Sequence, residues 1–212
     1  MGKSSRWLCF RFLSFFKPRS RSCKCFAIFT CMIRYKISDS PRILFVGINP
    51  HHGSFRRGVP FSNNKTFWYL LNRAGVLAES EHDLRSDRGL KNIYETRFVQ
   101  CYGLNFVNLI DFPTRQVTEL KRGDEAAGVR KVRKLIAQRQ PKVVCFIGRV
   151  TYQKFLGHDR FRFGWQKPIG SSQMFVMHFP IRGAAAVRIR ELKRILVALN
   201  RSRLPVGRLV SG

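Results

Sequence analysis

The sequence predicts an α/β fold, a three-layer α/β/α sandwich around a central, mainly parallel sheet of four to five strands. Strand patterns and helix patterns alternate along residues 32–203, as they do in parallel sheets with helical crossovers. Continuous apolar runs such as RILFVGI (42–48) and KVVCFIG (142–148) are typical of strands buried on both faces. With 212 residues, 44% of them hydrophobic, the chain is long enough for one well-buried domain.

The first half of the domain begins with the strand 42–48. NKTFWYLLNRAG (64–75) has apolar residues at helical spacing and ends in glycine, so it is predicted as a helix. The charged stretch 78–98 is predicted as a loop with at most a short helix. GLNFVNLIDFPT (103–114) is predicted as a short strand that ends in a turn at Pro113.

The second half repeats the alternation. A helix with a strongly basic exposed face is predicted from about Asp124 to Arg139, followed by the strand KVVCFIG. SQMFVMHFP (172–180) is predicted as a third strong strand, and AAAVRIRELKRILVALN (184–200) as the last helix. Residues 204–212 are predicted to be a tail.

The charge of the chain points to a polyanionic partner. The chain contains forty Lys and Arg residues and twelve Asp and Glu residues, which gives a formal net charge of +28. Cations placed near phosphates release condensed counterions, so nucleic acid is the first expected partner and an anionic membrane surface the second.

Residues 1–31 differ from the rest of the chain, with seven basic residues, no acidic residue and six Phe. Three interpretations are open: an organellar transit peptide, a membrane-surface segment, or a mistaken translation start with Met32 as the true start, which we favour. The apolar run 25–33 is too short to span a bilayer. We expect no membrane association of the mature domain, and an intracellular protein.

The cysteines indicate a reducing compartment. Four of the six lie in residues 1–31, without a second cluster that would complete a metal site. Cys101 and Cys145 lie in apolar surroundings and are predicted to be buried free thiols.

Polar loops follow the predicted strands. They read GINPHHGS, NLIDFPT, IGRVTY and HFPIRG. In open parallel sheets, ligands bind outside the carboxyl ends of the strands, so these loops predict a site at one edge.

Several of these segments resemble the mismatch-specific uracil/thymine DNA glycosylases of the uracil-DNA glycosylase superfamily. They are GINPHHGSFRRGVPFSNNKTFWYLLNRAG (47–75), NFVNLIDFPT (105–114), QPKVVCFIGRVTYQKF (140–155) and FGWQ (163–166). The resemblance covers residues 42–199. It implies hydrolysis of the N-glycosidic bond of a damaged or mismatched base, which the enzyme extrudes from duplex DNA into a pocket.

The resemblance assigns the chemistry to Asn49, which matches the catalytic Asn that holds a water against C1′. By itself, Asn-Pro also reads as a turn. Phe61 matches the aromatic residue that stacks on the base, with core packing as the alternative interpretation. The predicted base-contact set is Gly47, Ile48, Pro50, His51, Ser54, Phe61 and Asn108. His178 is a candidate donor to the base carbonyl.

The remaining assignments concern the DNA backbone. Ile181 or Arg182 is the candidate wedge that fills the vacated stack, and Gly183 a candidate phosphate contact. Arg56, Arg57 and Arg149 are candidate phosphate contacts or solvated surface charges.

The sequence departs from the family in two places. The HFPIRG segment lacks the Ser of the second motif, which leaves the role of His178 open, and His51 and His52 stand where relatives carry Gly. His51 is a candidate for contact with the sugar or for protonation, whereas a metal site made by two adjacent His is not expected.

The predicted protein is therefore a monomeric, monofunctional DNA glycosylase without metal or cofactor. It acts on uracil or a related deaminated base in mismatched or single-stranded DNA. The alternative is a non-catalytic nucleic-acid-binding protein on the same fold, and a membrane-surface protein is a third, weaker interpretation.

Overall fold

A five-stranded sheet lies at the centre of the computed structural model, which describes residues 33–201. The strands are β1 (Ile43–Gly47), β2 (Leu104–Asn108), β3 (Val143–Ile147), β4 (Gly164–Ile169) and β5 (Ser172–Met177). Their order is β2-β1-β3-β5-β4, and only β4, at the edge beside β5, is antiparallel to its neighbour. The mainly parallel sheet predicted from the sequence is confirmed.

Helices cover both faces of this sheet. They are α1 (His52–Arg57), α2 (Thr66–Arg73), α3 (Glu81–Arg85), α4 (Asp87–Thr96), α5 (Ala126–Arg139), α6 (Arg149–Leu156) and α7 (Ala185–Arg201). Phe45, Cys145 and Phe175 pack with residues of α2, α4 and α7 in one core. Leu44, Val144 and Val176 pack with residues of α5 and α6 in the other. Alternate strand residues thus point into opposite layers, which confirms the three-layer sandwich.

The prediction of a loop over residues 78–98 is wrong, because α3 and α4 occupy most of it. Ser80 and Ser86 cap these helices, each accepting a backbone N–H with its side-chain oxygen. Leu84, Leu90 and Ile93 are buried among exposed charged residues. Leu84 in α3, together with Leu90 and Ile93 three residues apart in α4, therefore outweighs a polar composition.

Two further elements were not singled out from the sequence. The short helix α1 follows His51, and the edge strand β4 contains a Pro and a register shift near Ile169, both of which obscure a strand pattern. The prediction for the two cysteines holds for Cys145, which is buried, and is wrong for Cys101, which is exposed in the turn after α4.

The strand registers bring the predicted loops to one edge. Gly47 pairs with Asn108 at the ends of β1 and β2, and Ile147 pairs with Met177 at the ends of β3 and β5. Within residues 33–201 no helix is long and apolar enough to cross a membrane. The segments predicted at 1–31 and 204–212, with four of the cysteines, lie outside the described residues.

Candidate active site

Asn49 lies just beyond the end of β1 and is held by two oxygen atoms. Its Nδ2 donates to Thr114 Oγ1 at 2.8 Å and to the Pro50 carbonyl at 3.3 Å. Thr114 Oγ1 in turn donates to the Gln116 carbonyl at 2.8 Å. These bonds form a chain from Asn49 through the Thr114 hydroxyl to the backbone of residue 116.

This chain determines which end of the Asn49 amide is free. A carbonyl oxygen only accepts, and the single hydroxyl proton of Thr114 is already directed at Gln116. Both neighbours therefore require the NH₂ group of Asn49 on their side. No described residue donates to Asn49 Oδ1, so the carbonyl end is the one presented for an incoming hydrogen-bond donor such as a water.

Backbone pairing positions Thr114 beside Asn49. Gly47 and Ile48 accept from the N–H groups of Leu109 and Ile110, and the Pro50 carbonyl accepts from the Thr114 N–H at 3.2 Å. Residues 47–51 and 109–114 thus run side by side beyond the strands, and Thr114 is 8% exposed. The carbonyls of Gly47, Ile48 and Pro50 thus each accept a backbone N–H in this pairing.

Phe61 has a backbone conformation that a bulky residue rarely adopts, with φ at 55°. Its ring lies 4.7 Å from that of Phe67, 5.8 Å from Phe106 and 6.1 Å from Phe179, centroid to centroid. The Trp68 indole N–H donates to the Pro60 carbonyl at 2.8 Å and holds the preceding residue. Such conformations cost about 1–3 kcal/mol and concentrate at functional sites.

We expect Phe61→Ala to lower kcat/KM for base release by roughly 10- to 100-fold, since stacking of a base on an aromatic ring contributes about 1–3 kcal/mol. Phe61→Tyr, which keeps the ring, should retain most of the activity. The matched control is Tyr69→Ala, which removes a ring of α2 that is partly buried, as Phe61 is, but forms no ring pair with Phe61. Equal kcat/KM for Phe61→Ala and Tyr69→Ala would contradict the stacking role.

Asn108 ends β2 and is buried, so it is not an exposed turn residue. Its Nδ2 donates to the Tyr35 hydroxyl at 2.7 Å. A Cβ built on Gly47 would lie 2.3 Å from Asn108 Oδ1, so glycine is required there for the amide to keep its position. Burial, reinforced by the charge of Asp111, raises the pKa of Tyr35, and its hydroxyl therefore stays protonated.

His51 and Ser54 serve the local fold. His51 caps α1, with Nδ1 accepting from the Gly53 N–H at 3.1 Å, so the neutral ring carries its proton on Nε2. Ser54 is buried, and its hydroxyl accepts from the Asn63 N–H at 3.0 Å. Ser54 thereby braces the turn that carries Phe61. The rings of His51 and His52 are nearly perpendicular and 6.3 Å apart.

His178 follows β5 and forms a pair with Glu191 of α7. Its Nδ1 lies 2.6 Å from Glu191 Oε1, and its backbone N–H donates to Oε2 of the same carboxylate at 3.0 Å. The ring stacks on Phe163 with centroids 3.6 Å apart. An ionised carboxylate only accepts, so Nδ1 carries a proton, and Nε2 donates only when the ring holds a second one.

Arg188 of α7 holds the loop 179–184, which connects β5 to α7. This buried side chain donates to the carbonyls of Phe179 and Ala184, at 3.2 and 2.8 Å. Gly183 has φ at 77°, and a Cβ there would lie 3.0 Å from the guanidinium. Ile181, 46% exposed, and Arg182 stand on the outside of this loop, as the wedge assignment requires.

The predicted phosphate contacts differ in their surroundings. Arg57 forms an ion pair with Asp87 at 2.8 Å. Arg149 lies over the ring of Phe161, 5.2 Å from its centroid. Arg56 is exposed and forms no ion pair within residues 33–201. Of the three, Arg56 is therefore the least restrained.

The structure joins the predicted residues into two groups. Asn49, Asn108 and Phe61 lie around the ends of β1 and β2, and His178 lies beyond β5, with Phe179 as the ring that contacts Phe61. Four residues that position these groups were missed: Tyr35, Thr114, Arg188 and Glu191. Arg188 and Glu191 occupy inward positions of an apolar helix face, which is a signal readable from the sequence. Within the described chain no three His, Cys, Asp or Glu side chains lie close enough to share a metal ion.

A parallel sheet with amide and aromatic side chains at its carboxyl edge defines an α/β protein with a ligand site in the usual place for such sheets. Residues 35–203 match the uracil DNA glycosylase superfamily, and the chain belongs to that family. The matched region includes the whole sheet and every site residue named above. It indicates a DNA glycosylase, a hydrolase of N-glycosyl bonds that acts on DNA in repair.

Proposed function

We propose that this protein is a monofunctional glycosylase that removes uracil or a related deaminated base from mismatched or single-stranded DNA, as in the mismatch-specific branch of its family. The observation that carries the proposal is the orientation of Asn49. Its NH₂ group is held by Pro50 and Thr114, and its carbonyl oxygen is free at the edge of the sheet. We further propose that it acts as a monomer inside the cell, without metal or cofactor.

The first step of the proposed reaction is extrusion of the nucleotide and capture of its base. The base stacks on Phe61, whose position three other rings maintain. Asn108 offers its amide to the hydrogen-bonding edge of the base. The exposed Ile181 occupies the space that the base leaves in the helix.

The second step is attack of water on C1′ as the bond to the base breaks and the sugar gains positive charge. Asn49 Oδ1 accepts a hydrogen bond from this water and aims its oxygen at C1′. An amide fits this position better than a carboxylate does, because a second oxygen would face the Pro50 carbonyl and the committed Thr114 hydroxyl. Without a full base, the reaction favours bases that leave easily.

The alternative is a non-catalytic nucleic-acid-binding protein, and one observation favours it. The Nδ1 atom of His178 is engaged by Glu191, so a neutral His178 has no proton on Nε2 for a departing base. If departure of the base requires such a donor, the protein would bind DNA without releasing a base.

The experiment that separates the two uses labelled oligonucleotides with U·G, U·A, T·G or hypoxanthine·T pairs or with single-stranded uracil. After incubation, alkali cleaves the abasic sites and the products are resolved by length. We expect scission at uracil, stronger in U·G than in U·A. Binding without scission on every substrate would support the non-catalytic alternative.

A further inference from the structure

A basic surface lies along α7 from Arg190 to Arg201, at the β4 edge of the sheet. It is a groove of about 760 Å³ between α7 and the strands β4 and β5. We refer to it as the α7 groove. Its polar and aromatic lining consists of Trp165, Gln173, Arg190, Lys193, Arg194 and Arg201.

The cations of the α7 groove form a line. Arg190, Lys193, Arg194 and Arg201 are exposed and are spaced so that they share one face of the helix. From Arg190 to Arg201 the helix rises by about 16 Å at 1.5 Å per residue. This arrangement suits an extended ligand that contacts several of these cations at once.

No carboxylate within residues 33–201 neutralises the positive charge of this line. The only carboxylate of α7, Glu191, is buried and engaged by His178. None of the four cations forms an ion pair with a described residue, whereas Arg57, Arg73, Arg97, Lys131 and Lys154 all do so elsewhere. The adjacent β4 adds Lys167 and no carboxylate. A polyanion is therefore the ligand that the groove suits by charge.

We propose that the α7 groove binds the sugar–phosphate backbone of DNA outside the extruded nucleotide. Helix α7 begins directly after the 179–184 loop, so the line of cations leads away from the site. A DNA strand carries a phosphate about every 3.4 Å of helix axis, which supplies several charges over the length of the groove. Val197 is the one large apolar side chain that is exposed on α7, too little for insertion into a membrane.

The test is the salt dependence of binding to a labelled duplex without a lesion, measured by fluorescence anisotropy with the full-length protein. The groove variant is Arg190→Ala/Lys193→Ala/Arg194→Ala. The slope of log K against log salt is negative, and each lost phosphate contact reduces its magnitude by about 0.9, so we expect the magnitude to fall by about 2 to 3 in this variant. The matched control, Arg130→Ala/Lys134→Ala/Lys142→Ala, removes three exposed cations outside the groove and should reduce this magnitude by less than about 1.

An unchanged slope in the groove variant, or an equal loss in both triple variants, would overturn the proposal. Thermal melting checks that all the proteins are folded. The polyanion is assigned as DNA on the basis of the proposed function, so base release by the wild type is scored separately. If the wild type releases no base but the groove variant alone loses slope, the glycosylase proposal fails and the groove stands as a nucleic-acid surface.

Discussion

Asn49→Ala is expected to lower the single-turnover rate constant of base release by about 10²-fold, the loss that misplacement of a reacting group causes, because the amide orients the water but takes no proton from it. The variant removes Oδ1 of the half-buried Asn49, a side-chain oxygen just beyond β1 to which no described residue donates. Binding of DNA should change little, because phosphate contacts dominate the affinity. Single-turnover assays with protein in excess over a U·G duplex measure the rate constant directly.

The control for this variant is Asn92→Ala, which removes an exposed Asn of α4 outside the site. It should retain the wild-type rate. If Asn49→Ala retains the wild-type rate as well, the assignment of the water-positioning residue is wrong, although the protein would remain a glycosylase.

Thr114→Val is expected to lower kcat by roughly 10- to 100-fold while KM changes little, from the loss of a hydrogen bond worth about 1–3 kcal/mol when its partner is left buried. Valine has nearly the same shape as threonine but accepts no hydrogen bond from Asn49 Nδ2. Only the longer contact to the Pro50 carbonyl, at 3.3 Å, then restrains the amide. The amide rotates more freely, and Oδ1 faces the water for a smaller fraction of the time.

Thr114→Ser is the matched control, since it keeps the hydroxyl that donates to Gln116 and accepts from Asn49. It should recover most of kcat. The unfolding temperature of Thr114→Val should fall by only a few degrees, because about 1 kcal/mol shifts it by about 2–4 °C in a domain of this size. A parallel loss of kcat in both variants would indicate that Thr114 acts through packing and not through its hydrogen bonds.

The larger features of this fold were predictable from the sequence because they depend on hydrophobic pattern. Buried parallel strands are continuous apolar runs, and Phe67, Leu70 and Leu71 recur at helical spacing in α2 and are buried in the structure. The helices α3 and α4 were not predicted because they have few buried residues and highly charged surfaces. Capping by Ser80 and Ser86 was the local signal that would have revealed them.

The site was predictable only in part, because its geometry depends on pairs that are distant in the chain. Asn49 and Thr114 are 65 residues apart, and Asn108 and Tyr35 are 73 apart. No local pattern reports such contacts. The left-handed conformation of Phe61 is likewise a product of packing, since nothing in GVPFSNN marks a positive φ at a phenylalanine.

The orientation of Asn49 by Thr114 is tested most directly by a double-mutant cycle between Asn49→Ala and Thr114→Val, measured as single-turnover rate constants of base release on one uracil duplex. If Thr114 acts by orienting the Asn49 amide, its hydroxyl has no function once that amide is gone. The double variant is therefore expected to be no slower than Asn49→Ala alone. Rate losses that multiply in the double variant would contradict this expectation, because they would mean that the two side chains act independently.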